Sequence, residues 1–193
     1  MDEDIEFSKD QIRDFIVAAH GNLPRVREML AEHPGLLNVR HYWDGNDSET
    51  AIQAAAQSGS APVVEYLLDR GAPLEICTAA MLGRKDVVDR MLSEDPKLID
   101  AKGAHGIPLM PHAALSNNLE LAQMLYQRGA TGSMSHALGN AVAHGDARMA
   151  RWILETGKPD LEWKNYEGKS LLTIATQTGK PDMVALLAEY GIT

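Results

Sequence analysis

Seven histidines and one cysteine are the residues of this sequence most able to support metal or catalytic chemistry. No two histidines stand four positions apart and no HExxH motif occurs, so the pattern does not predict a helical zinc site. The single cysteine, Cys77, excludes an internal disulfide and a multi-cysteine metal site. Serine-hydrolase, phosphate-loop and dinucleotide-binding motifs are also missing. We therefore predict no metal and no cofactor, and we favour a non-catalytic protein without excluding an unusual catalytic site.

Three histidines stand where a structural role is expected. His20 and His144 precede glycines that mark turns, and His33 precedes Pro34 at the end of a helical pattern. A histidine at a helix end can interact with the last carbonyls. The role of the other four depends on the architecture that positions them, and these are His41, His105, His112 and His136.

Aromatic residues are scarce, but they cluster. Tyr42 and Trp43 follow His41, and Trp163 lies close to Tyr166. Tryptophan and tyrosine on exposed loops are typical of recognition surfaces. The alternative is that Trp43 folds back over its own loop, or that Trp163 packs between helices. Neighbouring acidic residues either attract a basic or polar partner or form a solvated rim, and these are Asp44, Asp47, Glu49, Glu162 and Glu167.

Length and charge limit the protein class. The 193 residues suit one domain, and 45% hydrophobic with 23% charged residues excludes a disordered chain. The net charge of −9 disfavours nucleic acid and anionic membranes as partners. No apolar run approaches the roughly 20 residues of a membrane helix, and the start, MDEDIEF, is acidic where a secretory signal would be basic. We therefore expect a cytoplasmic protein.

A repeated helix-turn-helix pattern organises the chain. Thr50 to Gly59 predicts a short alanine-rich helix with a glycine turn, and Val63 to Ala72 predicts a second, amphipathic helix with a closing glycine. Ser8 with Gln11 forms a capping-box pattern at the first such unit. The residues at the turn inside each unit tolerate positive φ, and they are Gly21, Gly59, Gly83, Asn117, Gly145 and Gly179. Such short helix pairs must stack on their neighbours to bury their apolar faces.

This combination closely resembles the ankyrin repeat family, whose units begin with TPLHxAA and end with Gly-Ala. The resemblance implies a single, all-α ankyrin-repeat solenoid of stacked helix-turn-helix units, with β-hairpin fingers and a concave face formed by fingers and first helices. The approximate units are 8–40, 46–75, 76–101, 106–132, 135–162 and 168–193. The TPLH position has Thr50-Ala51-Ile52-Gln53 in the second unit. We therefore expect irregular stacking and some irregular or missing fingers.

Long and short connections alternate along the chain. The long ones have room for fingers around 41–48, 102–106 and 164–168, which we call finger 1, finger 2 and finger 3. The short ones, near 74–77 and 130–136, leave gaps that we call notch 1 and notch 2. Three fingers separated by two notches predict a concave face with pockets.

Two functional hypotheses follow from this architecture. The leading one is a non-catalytic module that binds a protein or peptide on its concave face, through Tyr42, Trp43, Gln53, His105, His112 and Tyr166. The alternative is a small-molecule or catalytic site at notch 2, lined by His105, His112, Met134 and His136. For His112 the structural alternative is a buried ring that replaces a lost TPLH hydrogen bond. Self-association through an apolar C-terminal unit stays open as a third option.

Overall fold

Twelve α-helices, arranged as six helix-turn-helix pairs, make up most of residues 7–192, the part of the chain that the computed structural model describes. The first helices of the pairs are α1 (Lys9–Ala19), α3 (Ala51–Gln57), α5 (Ile76–Met81), α7 (Leu109–Ala114), α9 (Met134–His144) and α11 (Leu171–Gln177). The second helices are α2 (Leu23–Glu32), α4 (Ala61–Asp69), α6 (Lys85–Glu94), α8 (Leu119–Gln127), α10 (Ala147–Thr156) and α12 (Pro181–Glu189). The acidic start, residues 1–6, lies outside the described residues, as does residue 193.

The pairs stack in a line, and each first helix packs against the first helix of the next pair. Small side chains such as Ala55 and Ala79 are fully buried between these helices and permit their close approach. The interior consists of two adjoining apolar clusters, one mainly from the first two pairs and one from the other four. Met81 and Leu115, from the third and fourth pairs, pack in the first cluster and so connect the two. The predicted all-α solenoid is confirmed.

Local signals set the helix ends much as the sequence predicts. The backbone N–H of Gln11 donates to Ser8 Oγ at 3.2 Å, and the N–H of Ser8 donates to Gln11 Oε1 at 3.0 Å, so the first helix begins with a complete capping box. Positive φ occurs at five of the six predicted turn residues, the exception being Gly21. The closing Gly157 has φ −84°, and Lys158 adopts the left-handed conformation in its place.

The three fingers differ in size. Finger 1 is an antiparallel hairpin of β1 (Arg40–Asp44) and β2 (Asp47–Thr50), with a bulge between Tyr42 and Asp44. Finger 2 and finger 3 each contain one isolated bridge, Lys102 to Pro108 and Lys164 to Ser170. The third and fifth pairs carry no hairpin within the described residues. The expectation of irregular and missing fingers is therefore confirmed.

Notch 1 is closed, which corrects the prediction of two open notches. The third pair has no finger of its own, so the tip of finger 2, a 3₁₀ turn at Ala104–Gly106, packs against β2 and α3. On the same side, a Cβ atom placed on Gly59 would lie 2.9 Å from the His144 ring, so the ends of α3 and α9 also meet. Every residue of α5 and α7 is consequently buried, whereas the concave face of residues 7–192 is open at notch 2.

The last helix pair buries its largest apolar side chains and leaves Leu172 and Val184 partly exposed. Met183, Leu186 and Leu187 pack inward and are almost fully buried. Among the described residues, none of the large, strongly exposed apolar side chains lies on α11 or α12. Self-association through the C-terminal unit stays a prediction that light scattering would test.

Candidate functional site

A cavity of about 820 Å³ opens on the concave side at notch 2, between finger 2 and finger 3. This volume lies in the range of pockets that hold small molecules or peptide side chains. Its floor is one face of α9, and its walls come from finger 2, finger 3, the start of α11 and the ends of α1 and α3. The floor residues are His136, Gly139, Asn140 and Ala143.

The floor and the finger 3 wall are joined by a tryptophan that lies on a glycine. A Cβ atom on Gly139 would be 2.3 Å from the Trp163 ring, so only glycine permits this approach. The Trp163 ring also stacks on His136, with ring centroids 5.6 Å apart and planes inclined at 24°. Burial lowers the pKa of His136, which favours the neutral imidazole. The cavity wall is therefore an aromatic pair with little charge.

The opposite wall contains His20 and Gln57. His20 Nδ1 lies 3.0 Å from the Ile16 carbonyl oxygen, which only accepts, so Nδ1 carries the proton in this contact. His20 Nε2 then accepts from Gln57 Nε2 at 3.0 Å. The same Gln57 amide nitrogen donates to Glu49 Oε2 at 3.3 Å. The predicted turn role of His20 is confirmed, and the ring also lines the cavity.

Glu49, on β2, is a fully buried carboxylate behind this wall. It accepts a hydrogen bond from Trp43 Nε1 at 2.7 Å, in addition to the one from Gln57. Its Oε1 lies 3.6 Å from His105 Nε2 and 3.8 Å from His20 Nε2. Glu49 therefore links finger 1, finger 2 and the first two helix pairs. It is neither a solvated rim residue nor a contact for a partner, which corrects the expectation from sequence.

Models of known families match much of this helical array. The family model described as "Ankyrin repeats (3 copies)" matches residues 112–193, and the one described as "Ankyrin repeat" matches residues 47–79. Both matched ranges have the stacked helix pairs described above. The chain belongs to the ankyrin repeat family. Ankyrin repeats are generally protein–protein interaction modules.

Two curated proteins resemble this ankyrin array over different lengths. Ankyrin repeat protein nuc-2 of Neurospora crassa is 26% identical over 204 residues, which cover 97% of this chain and 19% of that protein. Phosphocholine transferase AnkX of Legionella pneumophila is 26% identical over 114 residues, which cover 53% of this chain and 12% of that protein. The chain thus spans less than a fifth of the length of either relative.

Replacing Glu49 by glutamine should lower the free energy of unfolding by about 1–3 kcal/mol. The NH2 group of the glutamine would face Trp43 Nε1 or Gln57 Nε2, which are both donors, where a carboxylate oxygen now accepts. Urea unfolding monitored by tryptophan fluorescence measures the change. The exposed Asp44 on the same finger gives the matched control Asp44→Asn. Equal stability of the two variants would contradict the linking role of Glu49.

Three of the predicted site residues lie together at the cavity. His105, at the tip of finger 2, has a left-handed backbone (φ 54°) and places Nδ1 2.8 Å from Asp47 Oδ2. His136 lies on the floor, and Tyr166 on finger 3 is 98% exposed at the rim. The ankyrin stack therefore brings together residues of finger 2, α9 and finger 3.

Three other predicted contacts lie on or beside finger 1, away from the cavity lining. Tyr42 is 63% exposed. Trp43 is directed to Glu49 and packs edge-on against His41, so it folds back over its own loop, as the structural alternative predicted. Gln53 completes a capping box with Thr50 and donates to Glu75 at 2.8 Å.

Two further residues are buried and do not line the cavity. His112 is 1% exposed beneath finger 2, and a Cβ atom on Gly103 would lie 2.7 Å from its Nε2. Its Nδ1 donates to the Pro108 carbonyl oxygen at 2.9 Å, which confirms the structural alternative for this ring. Met134 packs against Gly157 and is 6% exposed. The expectations that His112 contacts a partner and that His112 and Met134 line the notch are therefore wrong, because finger 2 and the turn after α10 cover them.

Two further chemical features are a possible metal cluster and the single cysteine. No group of three or more histidine, cysteine, aspartate or glutamate side chains is placed to hold a metal ion in the described residues. Burial raises the pKa of the Cys77 thiol to about 12, which disfavours a nucleophilic thiolate. Between residues 7 and 192, no helix is both long and apolar enough to cross a bilayer.

Proposed function

We propose that this ankyrin array is a non-catalytic module that binds a segment of a partner protein in the cavity at notch 2. The observation that carries the proposal is the pairing of a concave cavity with an almost fully exposed aromatic side chain, Tyr166, on its rim. A tyrosine in that position has few contacts to lose and gains buried area when a partner covers it.

The cavity supplies the remaining contacts from rigid elements. The stack of helices fixes α9, while the Asp47 contact holds His105 at the edge of finger 2. Tyr42 extends the binding surface along finger 1. Trp43 and Gln53 do not contact the partner in this proposal, because their side chains already donate hydrogen bonds to Glu49 and Glu75.

Replacing Tyr166 by alanine should weaken partner binding by about tenfold or more, as expected for a hot-spot aromatic. The thermal unfolding curve should be unchanged, because the side chain is exposed. The measurement uses partners recovered by affinity purification from the source cells, followed by titration of each purified partner against wild type and variant.

The matched control is Val17→Ala on α1, since Val17 is another exposed apolar side chain and does not line the cavity. We expect that control to bind as wild type does. A partner that binds Tyr166→Ala and wild type equally would overturn the proposal. A small molecule that copurifies in stoichiometric amount, as seen by native mass spectrometry, would instead favour a small-molecule site that uses His105 and His136.

A further inference from the structure

We propose that the cavity binds its partner as an extended segment, through main-chain hydrogen bonds to Asn140, and that it selects an uncharged, apolar anchor side chain. This inference rests on the proposed function, because it names the chemistry of the partner segment at the same site. The groups that carry the inference are three side-chain amides in the cavity lining, the apolar side chains of the same lining and the charged residues outside the cavity.

Asn140 is held so that part of its amide stays available. Its Nδ2 donates one hydrogen to the Pro111 carbonyl oxygen at 2.9 Å, which fixes the plane of the group on the cavity floor. The second N–H and the Oδ1 atom have no protein partner in residues 7–192. After the Pro111 contact the Asn140 amide still offers one donor and one acceptor. A residue in an extended segment presents its own backbone N–H and C=O on the same side, which is the complementary pair. An extended backbone that crosses α9 can therefore make two hydrogen bonds to this one residue.

Two other side-chain amides in the lining also make some of their possible hydrogen bonds within the protein and leave the others available to a ligand. Asn165 Oδ1 accepts from the backbone N–H groups of Glu167 and Lys169, at 3.0 and 2.9 Å, which leaves the Nδ2 group for a ligand carbonyl. Gln57 donates both hydrogens of Nε2, to His20 and Glu49, and keeps Oε1 as an acceptor. The lining therefore combines neutral donors with neutral acceptors, which suits a peptide backbone better than an ion.

The cavity also has a carbon surface. Ile107, Ala143, Ile174 and the Trp163 ring all line the cavity. The His136 imidazole that stacks on Trp163 adds a further uncharged surface. An apolar anchor gains by leaving water there, whereas a charged anchor would lose hydration. Lys164, also in the lining, would favour an acidic anchor, and peptides with an acidic anchor distinguish that case.

The charge outside the cavity favours a basic segment around the anchor. The chain carries a net charge of −9, and the exposed Asp44, Asp160 and Glu162 lie on or beside the fingers together with the exposed Lys158 and Lys164. Complementary charge at the rim of an interface guides association and selects among partners. The partner segment should therefore carry an apolar anchor with lysine or arginine on either side.

Synthetic peptide pools test the choice of anchor. In each pool the central position is fixed as leucine, aspartate or lysine, and the flanking positions are random. Fluorescence anisotropy with the full chain should show that the leucine pool binds about tenfold more tightly than the other two. Tightest binding by the aspartate pool would show that Lys164 selects an acid, and tightest binding by the lysine pool would show that the acidic residues select the anchor. Either result would overturn the inference while leaving the proposed function standing.

A double-mutant cycle tests the role of Asn140. We expect Asn140→Ala to weaken the best leucine peptide about tenfold, and N-methylation of the backbone amide beside the anchor to do the same in wild type. Combining the two changes should cost no more than Asn140→Ala alone, since that variant already lacks the hydrogen bond that N-methylation removes. The control Asn46→Ala, at the exposed turn of finger 1, should bind as wild type does.

Additive losses from Asn140→Ala and N-methylation would overturn the main-chain role. Unchanged binding by Asn140→Ala would do so as well. If no pool binds the chain at all, the proposed function itself fails, and this inference fails with it. The two failures are therefore distinguished by whether any peptide binds.

Discussion

Lowering the pH from 7 to 4 should remove about 3 kcal/mol of the free energy of unfolding through His112 alone. Burial lowers the pKa of this ring from 6.5 to about 4. Between these two values the unfolded chain binds a proton that the folded chain does not. The stabilisation is therefore fully present above pH 6.5, falls as the pH decreases, and is lost once the pH reaches about 4.

Urea unfolding at a series of pH values measures this loss, with His112→Asn as the matched variant. An asparagine at this position keeps a donor for the Pro108 carbonyl oxygen and does not titrate. His136 and His144, whose pKa values are also lowered by burial, destabilise both proteins in acid. Wild type should lose about 3 kcal/mol more than the variant over this range. Parallel curves would contradict a His112 pKa that is lower in the folded chain than in the unfolded chain.

Replacing Gly139 by valine should lower the free energy of unfolding by about 3 kcal/mol and weaken partner binding by about a hundredfold. The first atom of any side chain at this position would overlap the Trp163 ring. Trp163 would then leave His136, and finger 3 would move away from α9. The change in stability comes from the broken packing, and the change in binding comes from the altered cavity.

Tryptophan fluorescence and calorimetry measure the packing change, and titration with a bound segment measures the affinity. Gly21→Val is the control, because a Cβ atom there meets nothing within 4 Å and its φ is not positive. That variant should stay within about 0.5 kcal/mol of wild type. A Gly139→Val protein with wild-type affinity would show that the wall formed by Trp163 takes no part in recognition.

Much of the architecture follows from local sequence signals. The capping box of Ser8 and Gln11, the left-handed turns at Gly59 and Asn117, and the positions of the three fingers are all determined within a few residues. Such signals identify the helix pairs, and the pairs can bury their apolar faces only by stacking. The solenoid could therefore be predicted from the sequence alone.

The site could be predicted only in part, because its details depend on contacts between distant residues. The repeat predicts that His105, His136 and Tyr166 lie on the concave side, and all three line the cavity. Glu49 was missed, since its burial needs Gln57, Trp43 and the tip of finger 2 at once. Its position directly before the N-cap Thr50 is a local signal, because the residue before an N-cap often packs against the following helix.

The closure of notch 1 is the other feature that spacing alone did not predict. A short connection in the third pair leaves room, and the sequence does not show that finger 2 fills it. Once finger 2 packs against β2, His112 is covered, and the concave face of the described residues is open at notch 2. Because the repeat is irregular, the concave face has a cavity at notch 2, whereas a regular array would have an open groove.

Hydrogen–deuterium exchange of the full chain, with and without a saturating partner segment, tests the location of the binding site most directly. We expect slower exchange on binding in residues 134–144 of α9 and in finger 3, with little change in the outer helices α6 and α8. Slower exchange confined to those outer helices would contradict the claim that the concave cavity binds the partner.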